Sequence, residues 1–125
     1  MDNGDDLPTR LVALRAQVLE LIQTYSIEYV VIEDIQEQNN IQTFKALAEV
    51  YGVLEETLKE FHIPYSTMYA SAWKSVCGVR GRARAEQKRN AQTFVETTFG
   101  VRATQDESDA ICIGFAHINE KNSAF

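Results

Sequence analysis

The chain has 125 residues, of which 45% are apolar and 10% aromatic, and its net charge at pH 7 is −6. This size and composition are typical of one globular domain and exclude a disordered or fibrous protein. No unbroken apolar run is longer than Tyr29–Ile32, far short of the roughly 20 residues that span a bilayer, and no leader opens the chain, so the sequence indicates neither membrane insertion nor export.

The first half predicts helix, strand, helix. A helix begins at Leu7, capped by Asp5 or Asp6, because apolar residues recur at helical spacing as far as Tyr25. Residues 28–33 (EYVVIE) are short and β-branched, which is typical of a strand covered on both faces in a parallel sheet. After a polar loop over 34–40, a second long helix is predicted over Ile41–Glu60.

Glycine inside a helix costs about 1 kcal/mol relative to alanine. Gly52 lies within the second predicted helix. This position indicates either that another backbone approaches closely there or that the glycine is simply tolerated.

The second half predicts a strand and three helices. The strand covers 64–69, a short helix capped by Ser71 runs to Cys77, and further helices cover 85–99 and 106–118. Residues 74–102 hold seven Lys and Arg residues against two Glu, although the whole chain is acidic. A glycine-punctuated basic loop over 78–84 lies in this window. Such a local basic stretch is typical of contact with an anionic partner.

The two cysteines, Cys77 and Cys112, lack the spacing of a zinc site, and we expect reduced thiols in a cytoplasmic protein. The order of elements indicates an α/β fold. Two strands cannot cover the apolar faces of two long helices, since ordinary sheets have about 4 to 6 strands. We therefore expect either strands before Met1 in the functional protein or a partner chain that completes the sheet.

Three carboxylates could converge. Glu33 ends the first predicted strand, where ligands gather in open α/β sheets, and Asp106 and Asp109 share one helix face. Like charges within about 5 Å repel by roughly 3 kcal/mol per pair at an effective dielectric near 20, so such a cluster would favour Mg²⁺ or Mn²⁺. The alternative is ordinary structure, with the aspartates as a helix cap and a partner of the helix dipole and with Glu33 solvated.

Several segments together resemble the RuvC-type Holliday junction resolvases, with the phage or Gram-positive branch the nearest in character. The resemblance covers about Leu7 to His117. In chain order, the matching segments are VVIED at 30–34, Asn40, 42–54 with its internal Gly-Val-Leu, Trp73-Lys74, 76–78, the basic loop, 85–88 and the Asp-x-x-Asp of 106–109.

This resemblance implies an RNase H-like fold, a mixed sheet flanked by helices, in a single nuclease domain over 1–125 that lacks its N-terminal strands. It implies a homodimer through the Ile41–Glu60 helix, with branched DNA, a four-way junction, as substrate. The implied residues are Glu33, Asp106 and Asp109 as ligands of two Mg²⁺ or Mn²⁺ ions, Lys74 beside the scissile phosphate, and Arg80, Arg82, Arg84 and Lys88 on the DNA backbone.

The chain departs from the family in two places. The family's first catalytic aspartate lies on an opening strand in an Asp-x-Gly context, and neither Asp2, Asp5 nor Asp6 has such a context. Where some members carry an aromatic residue that stacks on a base, this chain has Gln36. Phe44 and Trp73 could replace it, but core or interface packing is the favoured interpretation for both.

The expected function is metal-dependent hydrolysis of branched DNA in recombination and repair, by a structure-specific endonuclease. The alternative is a junction-binding protein of the same fold without catalysis, because the first aspartate is absent. A third hypothesis is an RNase H-like domain used only for protein assembly. The sequence shows no serine or cysteine nucleophile beside a base and no phosphate-binding loop, so a covalent enzyme intermediate is not expected.

Overall fold

We describe the protein from a computed structural model, which covers residues 6–36 and 39–123, the last three by their backbone alone. The elements follow one another as helix, strand, helix, strand and three helices. In chain order they are α1 (Leu7–Tyr25), β1 (Val30–Glu33), α2 (Ile41–Glu60), β2 (Tyr65–Met68), α3 (Ala70–Cys77), α4 (Arg84–Phe99) and α5 (Gln105–Ser123). This order confirms the predicted α/β pattern.

Local capping fixes the starts of the two long helices. The Asp6 carboxylate accepts a hydrogen bond from the Thr9 backbone N–H at 2.9 Å, which begins α1 as predicted. Asp2 and the alternative cap Asp5 lie outside the described residues. Asn40 Oδ1 accepts from the N–H groups of Gln42 and Thr43 at 3.0 and 3.2 Å, so α2 begins at the predicted residue.

The two strands pair in parallel. The Val30 N–H donates to the Pro64 carbonyl at 3.2 Å, and the Asp34 N–H donates to the Met68 carbonyl at 2.8 Å. Both strands are shorter than predicted, and Val30 to Ile32 are half-buried rather than covered on both faces. The reason is that, within the described residues, the sheet consists of these two strands alone.

The chain divides into two compact units. The first unit comprises Met1–Val30 and Ile35–Ser66. In it α1 packs against α2, Thr57 and Leu58 are buried, and the Tyr65 hydroxyl donates to Glu55 Oε2 at 2.6 Å.

The second unit comprises Val31–Asp34 and Thr67–Phe125. Its core lies between α3, α4 and α5. Both cysteines are free and buried in this core, as predicted for reduced thiols. The buried members are Met68, Trp73, Cys77, Val79, Ala91, Val95, Cys112, Ile113 and Ala116.

Two local predictions need correction, and of the two alternatives for Gly52 the structure agrees with simple tolerance. Ser71 does not cap α3, because the helix begins at Ala70 with Tyr69 at the cap position and no side-chain cap hydrogen bond. The last two helices begin at Arg84 and Gln105, one residue earlier than predicted, and α5 extends to Ser123. A Cβ on Gly52 would meet no atom within 4 Å, so within the described residues no backbone approaches that glycine. None of the helices in the described part of the chain is long and apolar enough to cross a membrane.

Candidate active site

Glu33 lies at the C-terminal end of β1 with its side chain exposed. The indole Nε1 of Trp73 donates a hydrogen bond to Glu33 Oε1 at 3.1 Å. Trp73 is only 2% exposed and belongs to the core of the second unit, so its N–H is a rigidly held donor. A buried ring therefore orients one carboxylate oxygen of Glu33, while the side chain remains accessible from solvent.

The two aspartates lie in the first turns of α5, whose start is fixed by a reciprocal pair of hydrogen bonds. The Thr104 N–H donates to Glu107 Oε1 at 2.9 Å, and the Glu107 N–H donates to Thr104 Oγ1 at 3.2 Å. This is a capping box, and its Thr-x-x-Glu signature is visible in the sequence at 104–107. Because Thr104 and Glu107 cap the helix, neither Asp106 nor Asp109 is its N-cap, although Asp106 still lies in the first turn, where an acidic side chain interacts favourably with the helix dipole.

Asp109 is the electrostatic centre of this region. Burial raises the pKa of the Asp109 carboxyl above its ordinary value, and the nearby charges of Glu33 and Asp106 raise it further. Lys88 and Lys74 act in the opposite direction and lower the same pKa. The structure thus brings the other two predicted acids and two lysines into electrostatic range of one half-buried carboxylate.

The three acids do not form a closed ligand cage. In the parts of the chain that the structure describes, no group of three or more His, Cys, Asp or Glu side chains could hold a metal ion as it stands. The donor set nevertheless fits a hard cation, because Glu33, Asp106 and Asp109 offer only carboxylate oxygen. A half-buried Asp109 beside two like charges is also the kind of site that a divalent cation stabilises.

Lys74 projects from α3 into the same region. Its Nζ donates a hydrogen bond to Gln87 Oε1 at 2.9 Å and lies 5.6 Å from the centre of the Trp73 ring. The side chain is half-buried, and its charge reaches Asp109. Lys74 is therefore held in one place beside the acids rather than freely mobile in solvent.

The basic loop of residues 78–84 joins α3 to α4, and its last residue, Arg84, is also the first residue of α4. Gly81 has φ 146°, a conformation that side chains disfavour, and an added Cβ would lie 2.9 Å from Glu86 Cδ. The four residues predicted to contact the DNA backbone differ in their surroundings. Lys88 is half-buried and acts on Asp109, whereas the other three are exposed. These exposed arginines are Arg80, Arg82 and Arg84.

Sequence reasoning missed the residues that orient the site. It treated Trp73 as a core residue or a base-stacking ring; the buried position confirms packing, but the hydrogen bond to Glu33 was not foreseen. Gln87, which contacts Lys74, was not singled out either. The only sequence signal for both is their position within the family-like segments that carry Lys74 and Lys88.

Comparison with known proteins identifies what the chain is similar to. Residues 1–117 match the family described as crossover junction endodeoxyribonuclease RuvC. A relative of that name from Ehrlichia chaffeensis is 30% identical over 127 residues, covering 98% of this chain and 78% of the relative. Another, from Trichlorobacter lovleyi, is 28% identical over 120 residues, covering 94% of this chain and 66% of the relative.

Solved structures agree on the fold. A structure of T. thermophilus RuvC in complex with Holliday junction substrate superposes with a TM-score of 0.76 at 15% identity, covering 94% of this chain and 71% of that one. A second structure, of Thermus thermophilus RuvC, superposes with a TM-score of 0.74 at 18% identity, covering 99% of this chain and 75% of that one. These matches confirm the predicted RNase H-like fold and, with the relatives, the predicted resemblance.

Proposed function

The chain belongs to the crossover junction endodeoxyribonuclease RuvC family, and we propose that Glu33, Asp106 and Asp109 hold the metal of its nuclease reaction. The protein is a structure-specific, metal-dependent endonuclease that cleaves Holliday junctions in DNA recombination and repair. The observation that carries this function is the family match over residues 1–117. The site is supported by Asp109, whose pKa responds to both other acids.

The three carboxylates would hold Mg²⁺ or Mn²⁺, two ions per site. When bound, such ions supply Lewis acidity at the phosphate and a nucleophile at neutral pH. Glu33 contributes an oxygen oriented by the Trp73 N–H. Asp106 and Asp109 contribute oxygens from a helix whose start is capped independently of them. The three acids act as ligands and do not attack the phosphate themselves.

Lys74 would stabilise negative charge that develops on the phosphate during displacement. Its ammonium group can do so because Gln87 holds it within electrostatic range of Asp109. Lys88 balances the charge of Asp109 in the protein and can contact a neighbouring phosphate. The two lysines therefore supply positive charge within electrostatic range of Asp109.

The exposed arginines of the basic loop would bind the DNA backbone. Arg80, Arg82 and Arg84 all point into solvent, and no side chain can replace hydrogen at Gly81 between them without strain. Contacts of this kind add affinity without base specificity, and the logarithm of the binding constant falls by about 0.9 per neutralised phosphate with the logarithm of salt concentration.

We also propose that the protein is a homodimer through α2. Ile41, Ala48 and Gly52 follow one another at helical spacing on one face, and all three are exposed in the single chain. Ile41 is 79% exposed, so its apolar side chain is available to a partner surface. The small residues on this face would let a second copy of the helix approach closely.

We place the protein in the cytoplasm. Both cysteines are free thiols, which is typical of a reducing compartment. The proposed DNA substrate is found in the compartment that holds the genome.

The metal-ligand assignment is tested with Glu33→Gln and Asp109→Asn. We expect either change to reduce cleavage of a labelled four-way junction in Mg²⁺ to background, because each removes a charged oxygen ligand. Junction binding should persist, since neither residue is among the proposed backbone contacts. Binding is measured by gel shift without added metal.

The matched control is Glu120→Gln, which removes an exposed carboxylate from the far part of α5. We expect this variant to cleave at the wild-type rate. Cleavage retained by Asp109→Asn would contradict the ligand assignment. Junction binding without cleavage by the wild-type chain would favour the non-catalytic alternative.

A further inference from the structure

Gln87 connects two parts of the candidate site. Its Oε1 accepts a hydrogen bond from Lys74 Nζ at 2.9 Å, and its Nε2 donates one to the Gly81 carbonyl oxygen at 2.8 Å. Lys74 belongs to α3, Gly81 to the basic loop, and Gln87 to the first part of α4. One half-buried amide therefore joins the active-site lysine to the loop.

The two contacts require the same orientation of the amide. An ammonium group can only donate and a carbonyl oxygen can only accept, so Oε1 must face Lys74 and Nε2 must face Gly81. The reversed amide would place NH₂ against the ammonium group and oxygen against the carbonyl. A glutamate could bind Lys74 but not the Gly81 carbonyl, and a methionine could bind neither. Glutamine satisfies both partners at this side-chain length.

The loop is also constrained at neighbouring points. Asn90 Nδ2 donates to the Arg80 carbonyl oxygen, next to the carbonyl that Gln87 binds. Gly81 lies against the Glu86 side chain in a conformation that favours glycine. The helix α4 thus holds the loop backbone through two amides, and of these Gln87 is the one that also contacts Lys74.

We propose that Gln87 is a positioning residue that couples the basic loop to Lys74. By holding both, it fixes the ammonium group relative to the loop whose arginines would bind the DNA backbone, so binding and lysine placement are linked. This inference rests on the proposed function, in which Lys74 acts beside the scissile phosphate. Displacement of a reacting group by about 1 Å can cost roughly 100-fold in rate, so the coupling matters for cleavage.

The experiment compares Gln87→Met with Gln87→Glu in the whole chain. In the metal-free protein, limited trypsin digestion after Arg80 and Arg82 should be faster in both variants, because both lose the bond to Gly81. Acylation of Lys74 by trace acetic anhydride, followed by mass spectrometry, should be faster in Gln87→Met only, because a glutamate still binds the ammonium group. The single-turnover rate of junction cleavage by Gln87→Met should fall about tenfold or more.

Gln92→Met is the matched control, because Gln92 is also on α4 and donates to the Ala103 carbonyl at 3.1 Å, away from Lys74. It should leave the trypsin, acylation and cleavage rates unchanged.

Equal trypsin rates for wild type and Gln87→Met would overturn the coupling, as would an undiminished single-turnover rate. If Gln92→Met changed the trypsin, acylation and cleavage rates in the same way, the cause would be a general loss of helix stability, and the coupling would also be overturned. A wild-type chain that cuts no junction would contradict the proposed function instead, and the trypsin and acylation rates would still decide whether Gln87 holds both partners.

Discussion

Trp73→Phe should weaken metal binding without dismantling the core. The substitution keeps a buried aromatic ring but removes the Nε1–H that donates to Glu33 Oε1 at 3.1 Å. A hydrogen bond to a charged acceptor contributes about 1.5–3 kcal/mol. At about 1.4 kcal/mol per factor of ten, this corresponds to a roughly 10- to 100-fold weaker affinity for the cation, the range found when a partner of a metal ligand is removed.

The affinity is measured from the electron paramagnetic resonance signal of free Mn²⁺ during titration of the protein. The control is Val95→Ala, because Val95 is fully buried in the same core. It should lower the free energy of unfolding while leaving the Mn²⁺ affinity unchanged. If Trp73→Phe binds Mn²⁺ as tightly as wild type, or if Val95→Ala weakens it equally, the indole does not orient the ligand.

Two further outcomes are expected. Changing Arg82 and Arg84 together to alanine should weaken junction binding and reduce the slope of log affinity against log salt by about 0.9 for each lost phosphate contact; an unchanged slope would place the DNA on another surface. Burial raises the pKa of the Cys112 thiol to about 12 and also raises that of Cys77. The neutral thiol thus stabilises the folded state below pH 9.0, and this contribution should disappear as pH rises toward 12. Urea unfolding in alkali should show a weaker pH dependence for Cys112→Ala, and an identical dependence would contradict the assignment.

Element bounds were predictable where a residue acts on its near neighbours. Asp6 and Asn40 begin helices because a short side-chain oxygen reaches an N–H two or three residues along the chain. Gly78 and Gly100 end helices because both adopt positive φ, at 66° and 68°. The predicted Ser71 cap was wrong because α3 begins without any side-chain cap hydrogen bond, so no residue near its start could indicate the boundary.

The contacts that orient the site were not predictable, because they join distant residues. Trp73 and Glu33 are 40 residues apart, and their hydrogen bond depends on how α3 packs beyond the end of β1. Strand-end position and family resemblance identified Glu33, Asp106 and Asp109. Helical spacing does not encode side-chain distances between elements, so the absence of a closed three-ligand group among the described residues could not be foreseen.

The residues that cap the start of α5 are different from the residues of that helix that are proposed to bind metal. Thr104 and Glu107 make both capping hydrogen bonds of the first turn, and neither Asp106 nor Asp109 takes part in them. Exchange of either aspartate for a neutral residue would leave the scaffold standing. A single substitution at either position could therefore give a protein that has lost catalysis but still folds and binds DNA.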